Sequence, residues 1–372
     1  MALYPSARTV SHKCNRNFPL MPNFFQEIKP ELSVHCAAYR ELEEERRLGW
    51  ESSHVDHLWQ ARKQRLDRPN GDRGRGPNND KYFDFYKTTL PRQAGDVFTV
   101  DSNRRFLDIG CAPGGLSRFL CNSLGWSGRG VSLDPAEGGL ELRFVPREGQ
   151  FKFTYANVAS PDFIPYMQSQ GILQSKYDFI NLGVVIGGHQ VQEELETSLL
   201  LLSVTRNSFQ LLHESLKPGA DAMWIFPSTN AGAWLYFLDK LRLVFDGSCS
   251  LFNTLVPSRS PVYAVFRGFR PDNGLDWLEE LSSPISPDLI DRWNYKTWRE
   301  AEECMGHLSA QLNAVWRKQR KALEEIRVNA AVLKEAPDVS FARLSGGKAN
   351  EGRVDKVIHS SRADKDLDWR RR

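Results

Sequence analysis

The chain has 372 residues, of which 41% are hydrophobic and 26% are charged. This composition is typical of a globular protein and excludes collagen, wholesale disorder and a coiled-coil rod. The net charge of +3 is too small to indicate a nucleic-acid partner by itself. Because no segment reaches the roughly 18 apolar residues that a membrane-spanning helix needs, we expect a soluble protein with no membrane partner.

The six cysteines are scattered and form no Cys-x-x-Cys pair, so we predict neither a disulfide framework nor a metal site. Residues 1–26 contain no Asp or Glu, which suits a mitochondrial transit peptide, but three prolines there oppose an amphipathic helix. We therefore prefer a flexible N-terminus. The expected compartment is the cytoplasm or nucleus, with the mitochondrion as the alternative. The sequence leaves the oligomeric state open.

Composition divides the rest of the chain into four parts. Residues 27–80 predict a helical extension that ends in a basic linker at 67–80, where Gly, Pro and Asn recur. Residues 81–271 alternate short apolar runs with helical patterns and form the predicted central domain. Residues 272–335 predict a C-terminal helical extension, and the polar residues 336–372 predict a disordered tail.

Seven apolar runs in the central domain predict strands. Helical patterns lie between most of them, which implies an α/β fold with a mostly parallel sheet covered on both faces. The last two runs are too close in sequence for a helical crossover, so the final pair should be antiparallel. The predicted strands are Arg105–Ile109, Gly130–Leu133, Phe151–Tyr155, Asp178–Val185, Ala222–Phe226, Ser250–Leu255 and Val262–Phe266.

The strongest local signal is a glycine-rich turn at 106–117, Phe-Leu-Asp-Ile-Gly-Cys-Ala-Pro-Gly-Gly-Leu-Ser, between a strand and a helix. Its glycines let the backbone approach a ligand at the edge where open α/β sheets bind ligands. The spacing is neither that of dinucleotide binders nor that of phosphate loops. The second strand ends at Asp134, whose carboxylate can accept hydrogen bonds from both ribose hydroxyls of a nucleoside. Together these features favour a nucleoside cofactor of the S-adenosylmethionine type.

Segment Asp108–Ser117 resembles the first motif of FtsJ-like methyltransferases, a family that methylates the ribose 2′-oxygen of RNA. Leu216–Gly219, Ser258–Tyr263 and Phe85–Lys87 are similar to further elements of that family. The resemblance covers about residues 81–270. It implies a Rossmann-like class I methyltransferase fold, with S-adenosylmethionine as cofactor and RNA as substrate.

The resemblance also assigns the cofactor pocket. Asp134 would hold the ribose, and Asn157 stands where the family usually has an Asp that faces the adenine amino group; its carbonyl oxygen can still accept a hydrogen bond. The predicted cofactor-binding residues are Asp108, Gly110, Ala112, Pro113, Gly114, Gly115, Leu116, Asp134 and Asn157.

Family members share a Lys-Asp-Lys-Glu catalytic set, which suits the chemistry because a ribose hydroxyl must lose its proton to attack the methyl group. This chain matches the set at Lys87 alone. The acid expected on the fourth strand falls on Leu182 or Gly183, the fifth strand lacks the lysine, and the Glu falls on Pro261. The catalytic set is therefore degenerate, and Lys87 itself is either catalytic or a surface lysine.

His189 is the second catalytic candidate, because it follows the fourth strand on a loop that should face the substrate. A neutral imidazole there could act as a general base, whereas the alternative is a cap on the following helix. Three hypotheses remain open: an RNA methyltransferase, a methyltransferase of a small molecule or protein that uses a different base, and a catalytically inactive cofactor-binding protein. Basic segments at 61–75 and 317–321 could contact RNA, or be a solvated linker and a paired helix surface.

Overall fold

A computed structural model describes residues 28–53, 55, 79–184, 194–226, 231–258, 261–284 and 286–335. These residues contain one seven-stranded sheet with helices along the chain before, between and after its strands. The elements in chain order are α1 Lys29–His35, α2 Ala37–Glu51, α3 Asn79–Ala94, β1 Arg105–Ile109, α4 Gly115–Leu124, β2 Ser127–Ser132, β3 Phe151–Tyr155, α5 Phe163–Ser169, β4 Tyr177–Leu182, α6 Glu194–Ser215, β5 Leu216–Phe226, α7 Ala231–Val244, β6 Cys249–Asn253, β7 Val262–Phe266, α8 Leu275–Leu281, α9 Pro287–Arg292 and α10 Trp298–Glu335.

The strands lie in the order β3-β2-β1-β4-β5-β7-β6. Neighbours from β3 to β5 run parallel, and β7 runs antiparallel to both β5 and β6. This confirms the predicted Rossmann-like class I methyltransferase fold, including the antiparallel final strand. Since β1 and β4 are neighbours although two strands separate them in sequence, the chain reverses direction across the sheet between β3 and β4. Open α/β sheets bind ligands at such a switch point.

The observed bounds of β2 differ from the prediction, because the strand begins at Ser127 rather than Gly130. The glycines of β2 allow two aromatic rings to pack over it. A Cβ atom at Gly128 would lie 2.5 Å from the Phe106 carbonyl oxygen, and one at Gly130 would lie 2.4 Å from the Phe151 ring. The two rings stack with centroids 5.9 Å apart. Glycine in this strand therefore makes room for close packing rather than ending the strand.

Two further boundaries differ from the prediction. Helix α3 begins at Asn79, inside the predicted linker 67–80, and Asp80 in its first turn suits the positive end of the helix dipole. The rest of that linker lies outside the described residues. Strand β5 follows α6 directly at Leu216, and its pairing with β4 shifts register near Gly219, which has a φ of 76°. The predicted helix-to-strand turn is thus an irregular start of the strand.

The two terminal extensions pack against each other beside β6. Tyr39 of α2 meets Trp316 of α10 edge to face, with ring centroids 5.0 Å apart. The Gln311 side chain of α10 accepts a hydrogen bond from the Leu251 amide at 2.7 Å and donates one to the Cys249 carbonyl at 2.9 Å. Helix α10 therefore covers the outer edge strand and satisfies part of its backbone. In the described part of the chain, no helix combines the length and the apolar character needed to cross a membrane.

Candidate active site

The glycine turn lies where β1 and β4 end side by side. Gly110 has a φ of 77°, and a Cβ atom on it would lie 2.7 Å from the carbonyl oxygen of Gly183. Gly114 has a φ of 107°, a conformation that only glycine adopts readily. The Gly110 amide donates to the Val131 carbonyl of β2 at 2.8 Å, and the Gly183 amide donates to the Ile109 carbonyl at 2.8 Å. The backbone therefore fixes the turn against the ends of three neighbouring strands.

Asp108 lies beneath this turn and has no exposed surface. Its carboxylate accepts hydrogen bonds from the Ser117 hydroxyl at 2.6 Å and from the Asn181 side-chain amide at 2.7 Å. Burial raises its pKa to about 6. The two hydrogen bonds favour the ionised form and lower the pKa, but they offset only part of the effect of burial. Because the side chain is enclosed, its role is to hold β1, α4 and β4 together beneath the glycine turn. Direct contact with a ligand, as predicted, does not fit this placement.

Asn181 is a site residue that sequence reasoning missed. The register of β1 and β4 places it opposite Asp108, and its own side-chain oxygen is buried without a hydrogen-bond partner. A Cβ atom on the neighbouring Gly183 would lie 2.7 Å from the Asn181 amide nitrogen. Only the pairing of two strands far apart in sequence could have revealed this contact.

Asp134 lies two residues after β2, which ends at Ser132, and is half-buried at the same edge of the sheet. One of its carboxylate oxygens accepts a hydrogen bond from the Ala136 amide at 2.8 Å, which caps a short 3₁₀ turn. The other oxygen has no partner among the described residues. The residue therefore combines a fixed orientation with a free acceptor, which fits the hydroxyls of a cofactor ribose.

Asn157 follows β3 and is exposed. Its side-chain oxygen accepts a hydrogen bond from the Ala159 amide at 3.0 Å. This leaves one lone pair and the amide NH₂ for a ligand, so the predicted adenine contact is available from either atom.

The glycine turn is bounded by side chains on two sides. Leu142 and Phe144 lie over Gly114, where a Cβ atom would be 3.0 Å from a Leu142 methyl carbon and 2.8 Å from a Phe144 ring carbon. Helix α3 approaches from the other side, since a Cβ atom on Gly115 would lie 2.5 Å from Cβ of Tyr82. Substitution at either glycine therefore demands movement of a covering element. The Leu116 side chain is buried in the core, so only its backbone could reach a cofactor.

Of the remaining predicted cofactor residues, Ala112 is half-buried and Pro113 is buried within the turn. The peptide bond between them is cis. The Pro113 carbonyl accepts a hydrogen bond from the Arg143 amide at 2.9 Å, which ties the turn to the segment that covers it.

Lys87 is exposed on α3, and its Nζ lies 5.8 Å from the centre of the Phe83 ring. The Arg118 guanidinium lies 4.4 Å from the same ring. The residue before it, Tyr86, is buried and shares a 2.6 Å hydrogen bond between its hydroxyl and that of Tyr263 on β7. The buried tyrosine pair therefore anchors α3 to the sheet, while Lys87 extends from the flank of the helix into solvent.

The other positions of the family catalytic set carry no replacement among the described residues. Leu182 is buried in the core, Gly183 has no space for a side chain, and Pro261 is buried at the start of β7. Asp178 pairs with Lys217 at 2.7 Å, but this pair lies at the opposite end of β4, away from the cofactor turn. His189 lies outside the described residues.

Comparison with known proteins gives one sequence match. Residues 92–239 match the sequence model of the FtsJ-like methyltransferase family. No curated protein matches the chain.

Solved structures give weaker similarity. A protein described as a ribosomal RNA methyltransferase from Plasmodium falciparum is 15% identical, with a TM-score of 0.35, and the alignment covers 50% of this chain and 96% of that one. The N-methyltransferase NodS from Bradyrhizobium japonicum is 14% identical, with a TM-score of 0.34 and coverage of 56% and 97%. Human methyltransferase-like protein 13 has the same identity and TM-score, with coverage of 56% and 95%.

The family match spans the glycine turn, Asp134, Asn157 and the switch point between β3 and β4, which are the features that fit an S-adenosylmethionine site. Residues 92–239 are an FtsJ-like, S-adenosylmethionine-dependent methyltransferase region.

Proposed function

We propose that this protein transfers a methyl group from S-adenosylmethionine to RNA. One observation supports S-adenosylmethionine as the cofactor. Asp134 has a free carboxylate oxygen, and it lies beside the glycine turn, in which Gly110 and Gly114 have positive φ angles. The family match supports RNA as the acceptor. Exposed basic residues on α10 also support an RNA acceptor, since Arg317, Lys318 and Lys321 are exposed to solvent and could contact phosphates.

Each part of the site has a defined task. S-adenosylmethionine supplies an activated methyl group when bound. The backbone at Gly110 and Gly114 admits the amino-acid end of the cofactor, and Asp134 accepts hydrogen bonds from its ribose. Lys87 is the candidate that withdraws the proton from the acceptor hydroxyl, because it is the one family catalytic position that this sequence keeps.

The lost catalytic positions support a second candidate function. Three of the four catalytic positions offer no acid or base: the acid position falls on Leu182 or Gly183, the Glu position falls on Pro261, and β5 lacks the lysine. Loss of that set favours a different acceptor, a small molecule or a protein, with His189 as the base. A protein that binds the cofactor without transferring the methyl group is the limiting case.

Methyl transfer from radiolabelled cofactor separates these functions. The acceptors are transcribed RNA, a mixture of small hydroxyl compounds and a denatured protein extract. The variants are Lys87→Met, His189→Ala and, as a matched control on the same helix, Lys81→Met. The proposal predicts label in RNA that Lys87→Met loses and the other two keep.

Label in a non-RNA acceptor that His189→Ala loses would instead establish the second function. Cofactor binding without label in any acceptor would establish the binding protein. Either result would refute methyl transfer to RNA through Lys87.

A further inference from the structure

A basic cleft lies at the amino-terminal edge of the sheet, opposite the cofactor turn. Its volume is about 220 Å³, and the starts of β1, β2, β3 and β4 form its walls. Three of its lining side chains are cationic, and two others carry a hydroxyl. The polar and charged residues that line the cleft are Arg105, Ser127, Arg129, Gln150, Lys152 and Tyr177.

Strand register explains why the charges converge. Arg105 pairs with Ser127 across β1 and β2, and Arg129 pairs with Lys152 across β2 and β3. Because paired residues share a face and residues two apart along a strand do too, all four side chains emerge on one face of the sheet. Three positive charges therefore meet within two strand spacings.

Acidic neighbours do not neutralise this cluster. The Arg129 guanidinium donates to the Gln170 carbonyl at 2.8 Å, and the Arg105 guanidinium lies 5.6 Å from the centre of the Tyr177 ring. Among the described residues, neither Arg105 nor Lys152 has an ion pair. The adjacent carboxylate, Asp178, is already bonded to Lys217 at 2.7 Å and to the Arg105 backbone amide at 2.9 Å.

Two buried polar atoms of residues that line the cleft have no hydrogen-bond partner among the described residues. Tyr177 is 0% exposed, and its hydroxyl has no hydrogen-bond partner among the described residues. Burial raises the pKa of Tyr177, and the neighbouring Ser175 hydroxyl partly offsets this, although its own hydrogen bond goes to the Gly171 carbonyl at 3.2 Å. The side-chain oxygen of Gln150 is also buried and unpaired. Buried polar groups of this kind cost stability unless a ligand or water satisfies them.

We propose that this cleft binds a phosphate group of a nucleotide, either as a free molecule or within an RNA strand. Two guanidinium groups and an ammonium group match the charge and the acceptor oxygens of a phosphate. The Tyr177 hydroxyl donates a further hydrogen bond, and the Gln150 oxygen accepts one from the sugar or base. The site is separate from the methyl-transfer edge, so binding there does not rest on the proposed function.

Calorimetry without cofactor tests the proposal. The ligands are uridine 5′-monophosphate and uridine, which differ by the phosphate alone. Arg105→Gln and Lys152→Gln should each weaken nucleotide binding about tenfold, the scale of one charge-assisted hydrogen bond. Arg92→Gln, which removes an exposed charge from the last turn of α3, is the matched control and should bind as the wild type does.

Tyr177→Phe separates binding from folding. It removes an unpaired buried hydroxyl and keeps the ring, so stability should not fall while nucleotide affinity drops severalfold. Equal binding of uridine and its monophosphate, no binding of either, or equal losses in Arg105→Gln and Arg92→Gln would each overturn the proposal.

A second titration distinguishes the two sources of phosphate. The probe is a single-stranded oligoribonucleotide whose affinity is measured against salt concentration. If the cleft holds a strand, Arg105→Gln should lower the salt dependence by about 0.7 in log–log slope, the value for one phosphate contact. An unchanged slope, with nucleotide binding still lost in the variant, assigns the site to free nucleotides.

Discussion

Replacement of Asp108 by Asn tests the buried network under the cofactor turn. Asparagine keeps the shape of the side chain, can donate to the Ser117 hydroxyl and can still accept from the Asn181 amide. The variant therefore retains both hydrogen bonds but cannot ionise. Any change that depends on pH then reports the charge of Asp108 itself.

The expected magnitude follows from the pKa. Burial raises the pKa of Asp108 from 3.8 to about 6. Because the folded carboxyl keeps its proton to higher pH than the unfolded one, the folded state binds more protons in this window, and the free energy of unfolding falls as pH rises. Each pKa unit is worth about 1.36 kcal/mol, so the full loss, which begins below pH 3.8 and is complete above pH 6, is about 3 kcal/mol.

Urea unfolding at pH 4.5, 5.5, 6.5 and 7.5 measures this effect as the difference between Asp108→Asn and the wild type. The variant should gain stability relative to the wild type as pH rises, by about 2 kcal/mol between pH 4.5 and pH 7.5. Asp84→Asn, at an exposed position on α3, is the control for exchanging an Asp for an Asn. A difference that stays constant with pH would refute the raised pKa and the reasoning from burial.

Three further substitutions test other contacts. Gly110→Ala should lower the free energy of unfolding by at least about 1 kcal/mol and abolish cofactor binding, because the new Cβ atom would clash with the Gly183 backbone and the φ of residue 110 is positive. Thermal unfolding measures the loss of stability, and calorimetry measures the loss of binding. Arg327→Met should cost about 3 kcal/mol in urea unfolding, since it leaves the buried Glu45 carboxylate without its partner at 2.7 Å; an unchanged midpoint would contradict this. Gln311→Ala should cost about 1–2 kcal/mol and promote association, because two backbone groups of the edge strand β6 lose their partner; light scattering reports the association.

The sequence predicted the sheet well because its signals are local. The bounds of β1, β3 and β7 agree residue for residue, since each is a short apolar run with clear ends. The antiparallel last strand followed from a connection too short for a helix. Glycines in β2 concealed its start, because the rings of Phe106 and Phe151 that need the space come from other strands.

The candidate site was less predictable. The turn and Asp134 could be read from their spacing, but the enclosure of Asp108 depends on Asn181, 73 residues away, and so on the pairing of β1 with β4. The exposed position of Lys87 follows from the tyrosine pair that orients α3. Contacts of this kind arise from tertiary packing and leave no local pattern.

The central claim is that the glycine turn and Asp134 form an S-adenosylmethionine site. Its most direct test is calorimetric titration of S-adenosylmethionine into the wild type, Asp134→Ala and Glu137→Ala, an exposed acid three residues further on. We predict that the wild type and Glu137→Ala bind alike, and that Asp134→Ala loses at least about tenfold in affinity with the ribose hydrogen bonds. Absence of binding to the folded wild type, or equal binding by Asp134→Ala, would contradict the account.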